Sequence, residues 1–549
     1  MEAIKDRAVD FSKKKFLIVE DFISFRSLLK KMLQSFKVFD VDETGNGEEA
    51  VKKLSRKKYD VILCDYNLGE GKDGQQVLEE AKLRGFIGYS TIFMMITAEN
   101  TVEMFMGALE YQPDDYLMKP FNKSMLETKL SNLYRKKENL RDIERAIERE
   151  DYEMAIGICS NLIESNPRNL PELLKLKGEM LLKTEKYEKA AKFYDKVLAM
   201  GDFPWAMLGQ GKVKFTQGDY EGAKNIFEEL IAKNDKITSA YDWLAKTQQK
   251  MGASQEAQQT LMKAVAISPK AIMRQKELGT VARQNQDYHT AERSMRAAVK
   301  QGKNSYLKSA SDYTGLANVL MQLNDGEGSV AVLNDGADEF TGDTQALLDI
   351  NITRCRAYKM TNNEEAAKKS LGTALKLAKS SPEPLTQDVE LELAKACFVA
   401  GDEKRGSEIV RSIVQNSHDD EALAEKVMGA FRDIGLEESG ASIIENAREE
   451  VYALNNEGVR LVREGDLEKA VDYFEKAVET LKENKIINAN AALALMLHMK
   501  KYGAQDEPLN RVYLYLERVK AIDPAYKDLA QLQTMWRELR PKFKFAGRD

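Results

Sequence analysis

The sequence predicts two fold classes in one chain: a five-stranded, doubly wound parallel α/β sheet over residues 1–135, then an all-α solenoid over residues 136–549. Three observations carry this. Before residue 135, short apolar runs alternate with helix-length amphipathic stretches. After it, no strand pattern recurs, and helix follows helix between Asp, Gly and Asn turns. Within that second region, small residues return at intervals of 33 to 35 residues.

The strands are placed at Lys15–Val19, Val38–Val41, Val61–Cys64, Thr91–Ile96 and Tyr116–Met118. The central runs are apolar throughout, as strands covered on both faces must be. Helices are placed at Phe22–Phe36, Gly47–Arg56, Gln75–Leu83, Val102–Tyr111 and Lys123–Tyr134.

In the second region Ala155, Ala190, Ala223, Ala257 and Ala291 occupy similar frames, among them EDYEMAIGIC, EKYEKAAKFY and GDYEGAKNIF. Four residues on stands a bulky side chain (Cys159, Tyr194, Phe227, Leu261, Met295), and seven on stands Leu162, Val197, Leu230, Ala264 or Ala298. These offsets mark one helix face. Gly178, Gly211, Ala245 and Gly279, twelve residues before an alanine, put a small residue on the preceding helix. The pattern resembles the tetratricopeptide repeat, in which paired helices stack because one pair cannot bury its apolar face alone.

The clearest repeats lie at 140–300 and 451–480, where Gly458, Ala470, Phe474 and Ala477 match the frame again. Between 300 and 450 the pattern weakens, Ser329 and Gly406 stand in for the alanine, and TGDTQALLDI reads as irregular. Residues 488–526 read as a further pair with a longer link around Tyr502–Pro508.

A formal net charge of −6 leaves no basic excess for nucleic acid. Cys64, Cys159, Cys355 and Cys397 form no C-x-x-C pair, so buried free thiols in a reducing cytoplasm are predicted in place of disulfides or a metal site. The charged N-terminus is unlike a signal peptide, and no run of 18 apolar residues suggests a membrane span. His289, His418 and His498 are far apart and receive no functional role.

Chemistry concentrates at the predicted strand ends. Glu20 and Asp21 follow the first strand, Asp65 the third, Thr97 the fourth and Lys119 the fifth. The carboxyl ends of strands are where open α/β sheets place their binding crevice. One aspartate at a strand end is ordinarily a helix cap. The ordered set resembles the receiver domain of bacterial response regulators over residues 14–134, which implies a flavodoxin-like fold. The resemblance makes Asp65 the phosphorylated residue and places Mg²⁺ on Glu20, Asp21, Asp65 and the backbone carbonyl of Asn67. It assigns Lys119 and Thr97 to the phosphoryl oxygens, and Thr97 with Tyr116 to the conformational switch. It implies a cis peptide at Lys119-Pro120 and remodelling of the face formed by the 102–111 helix, the last strand and the 123–134 helix. The run Asp65-Tyr66-Asn67-Leu68-Gly69 departs from the family's usual D-x-x-M/L-P, and the link to Gly74 is one residue long by comparison.

The repeats contain no nucleophile–base set, no phosphate loop and no helix-turn-helix signature. The combination implies a two-component response regulator and not a separate enzyme. A sensor histidine kinase is the implied donor, and a protein or peptide the implied ligand of the repeats; homodimers are allowed. A continuous or closely coupled helix through RKKENLRDIERAIERED would link the two regions. The other reading is a constitutive scaffold whose receiver serves only for docking or as a phosphate sink.

Overall fold

Five parallel strands, β1 (Phe16–Val19), β2 (Val41–Thr44), β3 (Val61–Asp65), β4 (Ile92–Thr97) and β5 (Asp115–Met118), form one sheet in the order β2-β1-β3-β4-β5. This computed structural model describes residues 9–98, 113–137, 140–165, 169–503 and 506–539. The predicted helix Val102–Tyr111 lies outside the described residues. The chain divides into two units, Met1–Leu323 and Asn324–Asp549.

In the first unit the sheet is covered on both faces. Leu17, Val19, Ile62, Cys64, Phe93 and Met95 face one core with Ala50 and Val51 of α2 (Gly47–Leu54) and Val77, Leu78 and Ala81 of α3 (Gly74–Leu83). Phe16, Ile18, Leu63, Met94 and Ile96 face another with Leu29 and Leu33 of α1 (Ile23–Ser35) and Leu126 and Leu130 of the Lys123–Lys137 helix. Alternate residues of β1, β3 and β4 thus serve opposite cores, which is why these runs are apolar without interruption.

The second strand corrects the sequence reading. Val38 is buried, but its N–H bonds to Leu33 O in the turn that ends α1, where Lys37 adopts φ 62°. The strand is instead the polar run Val41–Thr44, paired only with β1. An edge strand carries charged residues that a search for apolar runs passes over: Asp42 is bonded by Lys57 and Tyr59, and Glu43 pairs with Lys30. The continuous linking helix is also corrected. The Lys123–Lys137 helix is followed by a separate one, Arg141–Glu148, and Leu140 belongs to neither.

From Tyr152 to Gln322 the first unit is helical, with no strand among the described residues. Turns within the pairs repeat one device. A residue with positive φ (Glu150, Glu185, Gly218, Gly252, Gln286) ends each first helix, and Asp151, Asp219 and Asp287 then cap the next. The small residues of the pattern do what their spacing requires. A Cβ on Gly178 would meet the Tyr194 hydroxyl at 2.7 Å, one on Gly279 would meet Met295 Cγ at 2.7 Å, and one on Gly211 would enter the Phe227 ring.

The second unit keeps this architecture where the sequence pattern fades. Asn324, Asn362, Gly401, Gly435 and Gly465 have positive φ. Ser329 is fully buried, and Gly406 receives the Phe398 ring. TGDTQALLDI is not irregular: Asp343 caps a regular helix, Thr344–Met360. One helix, Glu437–Glu464, runs 28 residues and serves two neighbours, with Gly440 against Phe431 and Gly458 against Phe474. The last pair comprises Lys485–Tyr502 and Asp506–Ile522. All four cysteines are buried and unpaired. Among the described residues no helix is long and apolar enough to cross a membrane.

Candidate functional site

Parallel pairing brings the ends of β1, β3, β4 and β5 to one edge. Val19 stands beside Cys64, Asp65 beside Ile96, and Thr97 beside Met118. The polar residues that end or follow these strands therefore converge. Glu20, Asp21 and Asp65 offer carboxylate oxygens that all lie within 4.8 Å of one another. Glu20, Asp65 and Thr97 are buried, while Asp21 and Asn67 are exposed.

Lys119 supplies the opposing charge. Its Nζ donates to Asp65 Oδ2 at 2.7 Å and to Glu20 Oε2 at 2.9 Å, and lies 4.4 Å from the centroid of the Phe25 ring. The Lys119-Pro120 peptide is cis, and Lys119 N–H donates to Thr97 O at 2.7 Å. Burial raises the Glu20 carboxyl above its ordinary range, and the Asp65 charge adds to this against the pull of Lys119. Burial works against the Lys119 ammonium, yet the bonds and charges of Asp65 and Glu20 outweigh it and hold the lysine above its usual value.

Three carboxylates around one point suit a hard divalent cation, which prefers oxygen donors and offsets their repulsion. Tyr116 sits on β5, half-buried against the core cluster that contains Cys64, Tyr66 and Met95. Burial raises its phenol far above the ordinary value.

Some residues of this edge were absent from the sequence reading. Arg26 donates to the Glu20 carbonyl, and Phe25 lies beneath Lys119. Both sit on α1, where a residue four or five positions past Asp21 has no distinguishing pattern. Gly74 carries a readable signal, a glycine opening a helix, and the structure supplies its cause: a Cβ there would overlap the Asp65 carbonyl. Gly74 N–H also donates to Tyr66 O at 2.8 Å, closing the loop between β3 and α3.

Residues 16–131 match the response regulator receiver domain family. Residues 205–236, 238–270 and 451–480 match tetratricopeptide repeat families. Chemotaxis protein CheY-3 of Vibrio cholerae is 28% identical over 134 residues, covering 24% of this chain and 98% of the relative. The probable transcriptional regulator ycf27 of Cyanophora paradoxa is 31% identical over 131 residues, covering 24% of this chain and 52% of that protein. Among solved structures, the receiver domain of a Pseudomonas aeruginosa sensor histidine kinase, with magnesium coordinated in its active site cleft, is 27% identical over 22% of this chain and 97% of its own, with a TM-score of 0.21. The C-terminal part of a repeat protein from Cytophaga hutchinsonii is 15% identical over 44% of this chain and 96% of its own, with a TM-score of 0.37. The chain thus carries a receiver domain of two-component response regulators at its N-terminus and tetratricopeptide repeats in its C-terminal region.

Proposed function

We propose that this chain is a response regulator in which phosphorylation of Asp65 controls protein binding by the repeats, with residues 1–135 as receiver and 136–549 as the binding array. The observation that carries the reading is the convergence of three carboxylates within 4.8 Å, with Lys119 bonded to two of them.

In the proposed reaction an Asp65 carboxylate oxygen attacks the phosphorus of a phosphohistidine on a sensor kinase. The new O–P bond forms as the P–N bond breaks, and the imidazole leaves with the bonding electrons. Glu20, Asp21, Asp65 and the Asn67 carbonyl would hold Mg²⁺. The cation supplies charge neutralisation between an attacking anion and a phosphoryl dianion. Lys119 neutralises a second phosphoryl oxygen, and its position over Phe25 keeps the ammonium at the sheet edge. The Thr97 hydroxyl donates to a third oxygen. Its inward movement draws Tyr116 after it and so changes the receiver surface.

The repeats serve as a protein- or peptide-binding surface in a reducing cytoplasm, a setting consistent with the four unpaired thiols. Incubation with acetyl phosphate and Mg²⁺ tests the first half of this reading. A mass increase of one phosphoryl group is expected, and Asp65→Asn should abolish it. Labelling that persists in the variant would refute the assignment. Capture of partners with and without beryllofluoride tests the second half. Phosphorylation without any change in capture would favour a constitutive scaffold.

A further inference from the structure

The segment between the Tyr288–Gly302 and Ala310–Gln322 helices, far along the repeats, meets the loop and helix that follow Asp65 in the receiver. Asn304 Nδ2 donates to Gly71 O at 2.8 Å, and Lys72 Nζ donates to Asn304 O. Ser305 Oγ donates to Glu79, and Gln76 Nε2 donates to Gln301 O at 3.4 Å. Arg84 lies 5.7 Å from the centroid of the Tyr306 ring. Ser305, Glu79 and Glu80 are buried in this contact region, which no surface loop of a free receiver would require.

The receiver side of the contact is bonded within itself. Lys72 N–H donates to Glu48 at 2.8 Å, and its Nζ pairs with Glu80 at 3.2 Å. Asp73 and Gln76 form a capping box at the start of α3. On the site side, Gly74 runs so near the Asp65 carbonyl that an added Cβ would overlap its oxygen. This close approach and the Gly74 N–H bond to Tyr66 O link the strand end that carries Asp65 to the first turn of α3. Gln76 and Glu79, within the next turn and a half, are the residues that hold 301 and 305.

At its other end the receiver is held by the helix that follows it. Arg141 donates to Asp60, Lys58 pairs with Glu148 at 2.5 Å, and Ser90 N–H donates to Glu144 at 3.1 Å. The receiver thus joins the first helix of the array to the segment at 301–306. The near attachment is tied by the chain itself, whereas the distant one, among the described residues, is made of non-covalent contacts: these hydrogen bonds and the Arg84–Tyr306 ring contact.

We propose that the contact between α3 with its preceding loop and residues 301–306 is a latch that opens when Asp65 carries a phosphoryl group, freeing the repeats between for a protein ligand. This rests on the reading of Asp65 as phosphoacceptor. A phosphoryl group adds both volume and negative charge beside that loop. Coupling is reciprocal: a chain whose latch is broken should also bind beryllofluoride more tightly.

Hydrogen–deuterium exchange of the full chain, with and without Mg²⁺ and beryllofluoride, tests the latch. Exchange at 301–306 should accelerate by about tenfold while the peptide containing Asp65 gains protection. Asn304→Ala and Ser305→Ala should each accelerate exchange at 301–306 without beryllofluoride, with an unchanged circular dichroism spectrum. Protection at Asp65 with unaltered exchange at 301–306 would overturn the latch alone. No change at Asp65 would overturn the phosphoacceptor reading and the latch with it.

Discussion

The ammonium of Lys119 lies 2.7 Å from an Asp65 carboxylate oxygen and also bonds Glu20, so one cation ties together residues from three strand ends. Removing it takes away the ammonium that bonds both members of a buried carboxylate pair. Lys119→Ala should lower the rate of phosphorylation by acetyl phosphate about 100-fold while the receiver stays folded. Phosphate incorporation over time, followed by mass spectrometry, measures this. A rate within twofold of the parent would remove Lys119 from the proposed chemistry.

Gly74 offers a test of backbone packing. Gly74→Ala places a methyl group against the Asp65 carbonyl. We expect a loss of about 1–3 kcal/mol from the first unit, measured by urea unfolding. Alanine at Gly157, where a Cβ meets nothing within 4 Å, is the control and should cost less.

The repeats make a paired prediction. Phe227 is fully buried and fills the space beside Gly211. Phe227→Ala should cost about 3–5 kcal/mol through the cavity it leaves. Gly211→Ala should cost about 1–3 kcal/mol by overpacking the same contact. Thermal unfolding of both variants decides whether this glycine is there for space.

His418 gives a pH dependence. It is buried, and Asn484 Nδ2 lies 3.0 Å from its Nδ1 while also donating to Gln415 O at 2.6 Å. Burial lowers its pKa below 6.5, against the pull of Asp419. A base held below its unfolded value contributes stability that is present above pH 6.5 and is lost as pH falls toward the folded value. The second unit should therefore melt at a lower temperature at pH 5 than at pH 7.5, as acidic conditions favour protonation. Calorimetry of His418→Gln should show a smaller decrease.

The sequence revealed these features unevenly, for physical reasons. Glu20, Asp65, Thr97 and Lys119 were legible because each sits at the end of an apolar run, and parallel pairing aligns those ends. The repeats were legible because small and bulky residues alternate at fixed offsets on helix faces. The edge strand Val41–Thr44 was hidden by its polarity. The contact of Lys72 and Glu79 with 304 and 305 joins residues more than 220 positions apart, with no period to reveal it. Two adjacent glutamates on α3, both buried, were its only trace, and in sequence they look like a solvated helix face.

The four buried cysteines have a practical consequence. Burial raises every one of these thiols: Cys159 and Cys355 to about 11, Cys397 to about 12 and Cys64 well above its ordinary value. Little thiolate forms at neutral pH, and reagents have little access to it. The folded chain should be nearly silent to maleimide dyes. Single cysteines added on either side of the 304 segment could then be labelled without removing the natural ones, making the parent protein its own background for fluorescence distance measurements.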